Sequence, residues 1–531
     1  MSRNRTSTFL KAAGSAAFAA YLALSAGAAA AQDRTFIFGS VATPAAFDTE
    51  VWMPGSLESN VNVYENLFAY ATKTDATGRV VVDSAGVVPH IAESFDISPD
   101  GKTITVKLRR GVKSAYGNEL IAKYIVKSWE MAAARKRTSN FMINVGKLDR
   151  VEVVDDYTLK FHLSIGNKTF PRVLTTIWAP LIDWKEAGDH ATGDDPWSIK
   201  FLERNTAGFG TYHVQSVKPG QGAVFTVNSN YFGKQPYFTR VLYREIPSAA
   251  SRAALVKSGE IHWADQMPIQ QLVDLMKDPN VKVESVPGTG SATVVMNPNF
   301  APFDDIRVRK AIAYATDYDA IGEIVFRGLG ERSRSLLSPA YGEAHIESFY
   351  YETDLDKARA LLAEAGHADG LSITIEYSDS WWWEEPLVIQ MKDALAKVGI
   401  DVTPKHIPKT ELLSRRKIGN RTLPMFPHLA NAFVLTPSYS FFLQAHSKGA
   451  SNVGDYNNSH FDALVEQMIG ERDPKVWMDI VHEAQTLHSE EVGKMDTFYP
   501  KTYGVMVPCI TGWLWRPHDR LVWRNLRCEE G

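Results

Sequence analysis

The chain has 531 residues, 45% hydrophobic and 22% charged, with a formal net charge of −4. That length exceeds what one core supports, so two or more large lobes are expected. No basic surplus exists to hold a phosphate backbone, which argues against a nucleic-acid partner.

Residues 1–31 stand apart from the rest. Arg3, Arg5 and Lys11 form a positive n-region, Phe18 to Leu24 lies in an apolar stretch, and Ala29-Ala30-Ala31 fits a small-residue cleavage site. This is the pattern of a secretory signal peptide rather than a membrane span. No cysteine follows the cleavage site, so no lipid anchor is expected. No other stretch is long and apolar enough to span a bilayer, so the mature chain is read as an exported soluble protein.

Strand and helix patterns then alternate. Asp96 to Leu108 (DISPDGKTITVKL) reads as a hairpin, with Pro99-Asp100-Gly101 at the turn. Val151 to Leu163 repeats the device, and Tyr212 to Asn228 is a third hairpin around Pro219-Gly220. Gly208-Phe-Gly210 lacks the third glycine of a dinucleotide turn and reads as a plain turn. Arg307 to Tyr318 and Leu355 to Ala365 carry helical spacing, and Asp304-Asp305 reads as the cap of the first of them.

The stretch from Leu371 to Val402 is the most informative. LSITIEY alternates and reads as a strand; Val388, Met391, Leu395 and Val398 recur at helical spacing. Pro386 is tolerated only in a first turn, so the helix starts near Trp383 to Glu385. Trp381, Trp382 and Trp383 therefore stand where a strand's C-terminal end hands over to a helix. In α/β sheets that edge binds ligands. Three adjacent rings cannot all face one core, so at least one is expected in a ligand site.

Further on, Arg415, Arg416, Lys417 and Arg421 form a basic run, read first as a solvated face. An inward-pointing Arg416 would instead suit an anionic ligand. His482 and His488 are six residues apart, on different faces of a helix read as solvated. Cys509 and Cys528 are the only cysteines. An exported compartment permits their disulfide, and two separate thiols are the alternative. No GxSxG, Walker A or HExxH motif occurs, and no His, Cys and carboxylate cluster has metal-ligand spacing. No catalytic role, cofactor or metal is expected.

Several blocks taken together carry a resemblance: Pro89 to Glu130, Thr206 to Tyr231 (TAGFGTYHVQSVKPGQGAVFTVNSNY), Arg252 to Asp265 (RAALVKSGEIHWAD), Asn297 to Thr316 (NPNFAPFDDIRVRKAIAYAT) and Asp354 to Gly366 (DLDKARALLAEAG). In order and spacing the chain resembles the solute-binding proteins of peptide and nickel ABC importers, the dipeptide- and oligopeptide-binding class. The resemblance implies an α/β, two-lobed periplasmic-binding-protein fold that hinges on a ligand between its lobes. Lobe one would hold 32–295 with an extra subdomain at about 72–205, lobe two 296–500, and 501–531 would return to lobe one. The crossovers would fall near Met296 and Tyr499. It also implies a periplasmic monomer serving an inner-membrane permease and ATPase.

The class places the turn after the Leu371 strand beside the cleft, with Trp52 and Tyr64 as candidates for the facing wall. Peptide binders of the class carry an acidic run where this chain reads NAFVLTPSYSFFL (Asn431 to Leu443), without one Asp or Glu. A peptide ammonium would lack its usual partner there, while Asn431, Thr436, Ser438 and Tyr439 offer neutral hydrogen bonds. The expected ligand is therefore a non-peptide organic solute such as a saccharide, opine or polycarboxylate. A peptide or chelated nickel is the alternative, and an exported hydrolase is the reading from another class.

Overall fold

The computed structural model describes residues 34–50, 55–75, 78–137, 143–176, 181–431, 434–515 and 521–529. The signal-peptide segment 1–31 and Trp52 lie outside the described residues.

The first sheet has seven strands, in the order Lys282–Val286, Thr502–Met506, Trp263–Ala264, Thr35–Ser40, Arg240–Glu245, Gly222–Val227 and Tyr212–Lys218. Thr35–Ser40 runs parallel to both of its neighbours. Its buried face carries Phe36 and Phe38, and Phe38 packs against Tyr243 at 4.9 Å between ring centroids. The C-terminal tail returns to this sheet twice. Thr502–Met506 pairs antiparallel with Lys282–Val286, and Trp523 is buried 5.1 Å from Phe225. Cys509 and Cys528 are joined by a disulfide across the short ladder Ile510–Thr511/Arg527–Cys528, which closes the alternative of two thiols.

A separate four-stranded sheet lies within the segment expected as a subdomain: Ala92–Ile97, Thr103–Leu108, Thr158–Leu163 and Leu148–Asp155. Its two inner strands alternate buried and less buried residues, as period-two patterning requires. Helix Ala122–Arg135 covers it, setting Trp129 edge-on to Phe161.

The second large sheet has the order Gly330–Arg332, Met495–Pro500, Ser291–Met296, Met425–Ala430. Ser291–Met296 is buried at every position, because helices and loops cover both faces. The strand Leu371–Tyr377 pairs in parallel with Ile400–His406, and helix Glu384–Ala396 links them. That helix buries Leu387, Val388, Met391 and Leu395. Asp305 caps helix Ile306–Ala315 by accepting the Arg307 N–H at 2.8 Å, as its position suggests.

Ser291–Met296 pairs with Met425–Ala430 and Met495–Phe498, so it belongs to the second sheet. The first crossing thus lies at 287–290, ahead of Met296; the return lies at Lys501, between Pro500 and Thr502. Strand patterning could not show this, because one apolar strand suits either sheet. The two crossings touch. A Cβ on Gly288 would sit 2.1 Å from the Pro500 carbonyl oxygen, and one on Gly290 2.6 Å from that of Ala430. Only glycine allows that approach. The Ser338 hydroxyl fastens the first crossing by donating to the Gly288 carbonyl at 2.8 Å.

On another flank, the segment after Leu435 reaches back to the strand Phe68–Thr74 and to the first turn of the small sheet. Arg472 donates to the Pro99 carbonyl at 2.7 Å, and the Leu435 N–H donates to the Tyr70 hydroxyl at 3.0 Å.

Candidate functional site

Beside the crossings lies a cavity of about 310 Å³. The turn after Leu371–Tyr377 contributes Trp381, Trp382 and Trp383, with Phe326 beside them; the first sheet contributes Trp263, and the returning tail Trp513 and Trp515. Gly288 to Gly290 and Pro500 to Thr502 form part of its lining, so both crossings border the space.

The three adjacent tryptophans divide the work. Trp383 is only 1% exposed and plugs the second sheet's core. Trp382 is half-buried, edge-on to Phe326 at 5.6 Å. Trp381 is 43% exposed at the cavity's edge. The helix N-terminus behind them sets this geometry: Trp383 is the residue preceding the first helical one, Glu384. Glu384 is itself buried, and its Oε2 accepts the Ser378 N–H at 2.9 Å and hydroxyl at 3.1 Å. Burial pushes its carboxyl up to about 7, with the Ser378 bonds and the Arg416 charge pulling the other way.

Arg416 is not among the residues that line the cavity. It is half-buried near Glu384, where desolvation lowers its guanidinium pKa and Glu384 opposes that. Tyr64 also departs from its expected role. It terminates helix Ser56–Val63, turns into the first lobe's core and donates to the Phe47 carbonyl at 2.8 Å. A chain turning at a helix end can aim its ring either way, and core packing decided here.

The stretch replacing the acidic run splits in two. Asn431 lines the cavity; its Oδ1 accepts from the Thr289 hydroxyl at 2.9 Å and its carbonyl from Gln444 Nε2 at 2.7 Å. Thr436, Ser438 and Tyr439 do not reach it. Thr436 and Ser438 share a 3.2 Å hydroxyl contact at the start of helix Pro437–Gln444, and Tyr439 is core. Thr436 instead borders a second cavity of about 370 Å³ with Arg172, Tyr341 and Trp477. His488 likewise departs from the solvated reading. It is fully buried, 5.2 Å from the Tyr456 ring, and burial pushes its imidazole down to about 3.

The first lobe's wall escaped sequence reasoning. Trp263 and Trp513 stand edge to face at 5.6 Å, although 250 residues separate them. Trp513 and Trp515 sit inside the disulfide loop. Their signal in the sequence was local tryptophan density in the returning tail, but nothing local says which strand that tail meets. Asp265 and Gln266 also line the cavity. Arg252, almost wholly buried, holds this segment through the carbonyls of Ile246, Pro247, Asp265 and Gln266 at 2.6 to 3.1 Å. Gln266 adopts φ 48°, a left-handed conformation that a non-glycine residue keeps only where its surroundings impose it.

Residues 86–452 match the model of the bacterial extracellular solute-binding proteins, family 5. The chain belongs to that family. Among curated relatives, haem-binding protein A of Haemophilus influenzae is 24% identical over 520 residues, covering 92% of this chain and 91% of that one. The probable D,D-dipeptide-binding periplasmic protein DdpA of Escherichia coli is 25% identical, covering 92% and 93%. Among solved structures, the dipeptide-binding protein of Pseudoalteromonas sp. SM9913 with Met-Leu aligns at a TM-score of 0.80 and 20% identity, covering 93% and 100%. MoaA of A. tumefaciens R10 with mannopinic acid aligns at 0.77 and 21%, covering 94% and 100%. The two-lobed α/β fold of the family is thus the fold of this chain. Among the described residues, no helix is long and apolar enough to cross a membrane, and no group of three or more His, Cys, Asp or Glu could hold a metal ion.

Proposed function

We propose that this family 5 protein captures a small organic solute in the cavity at the crossings and delivers it, in the periplasm, to an inner-membrane ABC permease and ATPase. The observation that carries the reading is that Trp381 and Trp382, from the turn after Leu371–Tyr377, and Trp263, Trp513 and Trp515, from the first sheet and the returning tail, line one cavity beside the only two places where the chain passes between the two large sheets among the described residues. Such walls bury ligand area when the lobes approach and release it when they part. The cavity holds about ten water molecules' worth of space at 30 Å³ each. Relatives and neighbours named for haem, dipeptides and mannopinic acid occupy the same scaffold, so the scaffold alone does not choose the ligand.

The test is mass spectrometry of the small molecule released when the purified mature protein is denatured, followed by titration of that molecule back onto fresh protein. A receptor shifts its tryptophan fluorescence and returns the molecule unchanged. A molecule returned cleaved would make the protein an exported hydrolase instead.

A further inference from the structure

We infer that Asn431 is a hydrogen-bond donor to the captured solute, selecting one that presents a carbonyl or carboxylate oxygen, and that Gln444 and Lys494 hold Asn431 in position. This rests on the reading of that cavity as the capture site and adds the chemistry of one contact to it.

The chain of contacts starts at a buried lysine. Lys494 is 1% exposed, and its Nζ donates to the Gln444 carbonyl at 2.7 Å, to Gln444 Oε1 at 3.1 Å and to the Ser451 carbonyl at 3.1 Å. Three acceptors match the three N–H bonds of an ammonium, which can only donate. Gln444 ends helix Pro437–Gln444, so the first of these bonds also serves a carbonyl that the helix end leaves without an intrahelical partner. The lysine thereby dictates which way the buried Gln444 amide lies. Oε1 turns to Lys494, and Nε2 donates to the Asn431 carbonyl at 2.7 Å. An amide held by a group that cannot accept has one orientation rather than two.

Asn431 is fixed from the opposite side as well. It follows strand Met425–Ala430, and Thr289, in the first crossing, donates its hydroxyl to Oδ1 at 2.9 Å. A Cβ on Gly290 would stand 2.9 Å from Asn431 Cα, so the crossing leaves this backbone little room. With Oδ1 engaged, what the side chain still offers is Nδ2, whose N–H bonds meet no acceptor among the described residues. Asn431 and Thr289 both line the cavity, and Asn431 is half-buried there. Two N–H donors held at that position match an oxygen acceptor on the solute. A solute that turned an apolar face to them would leave the donors unpaired as water is excluded, which costs free energy.

The experiment uses the full mature chain with nitrogen-15 in its asparagine side chains, and two probes of similar size. N-methylpyrrolidinone offers a carbonyl and no donor; 2-pyrrolidinone offers both. The Asn431 amide resonances are identified by their loss in Asn431→Asp, and both probes should shift them in the unaltered chain. Asn431→Asp keeps an acceptor for the Thr289 hydroxyl and removes the donors. Read by tryptophan quenching, it should weaken N-methylpyrrolidinone about ten-fold, and 2-pyrrolidinone less, because a carboxylate accepts that probe's N–H. Gln444→Glu keeps an acceptor for Lys494 and removes only the donor to the Asn431 carbonyl. It should weaken both probes about three-fold without lowering the thermal midpoint. Asn431 resonances that neither probe shifts, or undiminished N-methylpyrrolidinone binding by Asn431→Asp, overturn the donor assignment. Undiminished binding by Gln444→Glu, or a loss of affinity only in step with the midpoint, overturns the positioning role. Each of these results leaves solute capture standing, which the molecule released on denaturation decides separately.

Discussion

Gly288 and Pro500 meet where the chain's two crossings run side by side: a Cβ on residue 288 would stand 2.1 Å from the Pro500 carbonyl oxygen. The two segments that join the large sheets are thus in close backbone approach to each other, and the cavity lies beside that approach. Hinge motion in such an arrangement is concentrated in a few residues that absorb the dihedral change.

Gly288→Ala should force the crossings apart. The obstacle is backbone rather than a flexible side chain, so overpacking of about 1–3 kcal/mol is expected. Calorimetry should show a lower thermal midpoint, and small-angle scattering a changed lobe spacing without ligand. A variant with wild-type midpoint and scattering would show that the crossings yield freely.

The tryptophans should separate by experiment as they do in space. Trp381→Ala removes a ring that is largely exposed at the cavity edge. It should weaken ligand binding by about 1–3 kcal/mol while hardly moving the ligand-free midpoint. Trp383→Ala empties a core position that is 1% exposed. It should cost roughly 3–5 kcal/mol of stability. Equal stability losses in both variants, with affinity intact in each, would make the triplet structural.

What the sequence could show follows from which contacts are local. Alternation predicted Leu371–Tyr377 to the residue, and Pro386 with the two glutamates placed the helix start beside Trp383. That local pattern put the three tryptophans at a strand-to-helix turn, but which of them is buried depends on the packing of Trp383 against Phe326 and the second sheet's core. Tyr64 could not be aimed from local pattern either, since the Phe47 carbonyl that captures its hydroxyl becomes a neighbour only through tertiary packing. The same holds for the Trp263–Trp513 wall, joined by a strand pairing between Trp263–Ala264 and Thr502–Met506 that no local pattern announces. His488 was misread because its helix is amphipathic with an aromatic pocket from Tyr456 and Phe461 waiting on the buried side.

Glu384 gives a pH signature with a definite sign. Its carboxyl is pushed up to about 7 in the folded protein, chiefly by burial, from an ordinary 4.5. The folded state therefore binds the proton more tightly than the unfolded one between these values. Its contribution to stability is fully present below about 4.5 and is lost as pH rises through about 7. Glu384→Gln, which cannot ionise, should leave stability little changed at pH 4.5 and raise it relative to wild type at pH 8, by on the order of 2–3 kcal/mol. Urea unfolding of both proteins across this range measures the difference, which cancels every other titrating group. A difference that stays constant with pH would mean that folding leaves the Glu384 pKa where it is in the unfolded chain.

The disulfide between Cys509 and Cys528 ties the returning tail into a loop that contains Trp513 and Trp515. Removing it should act on both stability and binding. Closing a loop of about 19 residues restricts the unfolded chain by roughly 3 kcal/mol. Cys509→Ser/Cys528→Ser should therefore unfold at lower urea, and the wild type should follow it when reductant is added. Ligand affinity should fall as well, because Trp513 stands edge to face with Trp263 at 5.6 Å only while the tail is held against the first sheet. Loosening the tail leaves Trp381 and Trp382 with a less ordered wall to close upon, and the free protein must order it on binding. The expected pattern is a weaker dissociation constant that arises mainly from faster release, measured by stopped-flow tryptophan fluorescence. Lower stability with an unchanged dissociation constant would show that the rest of the first sheet holds Trp513 and Trp515 in place without the cross-link.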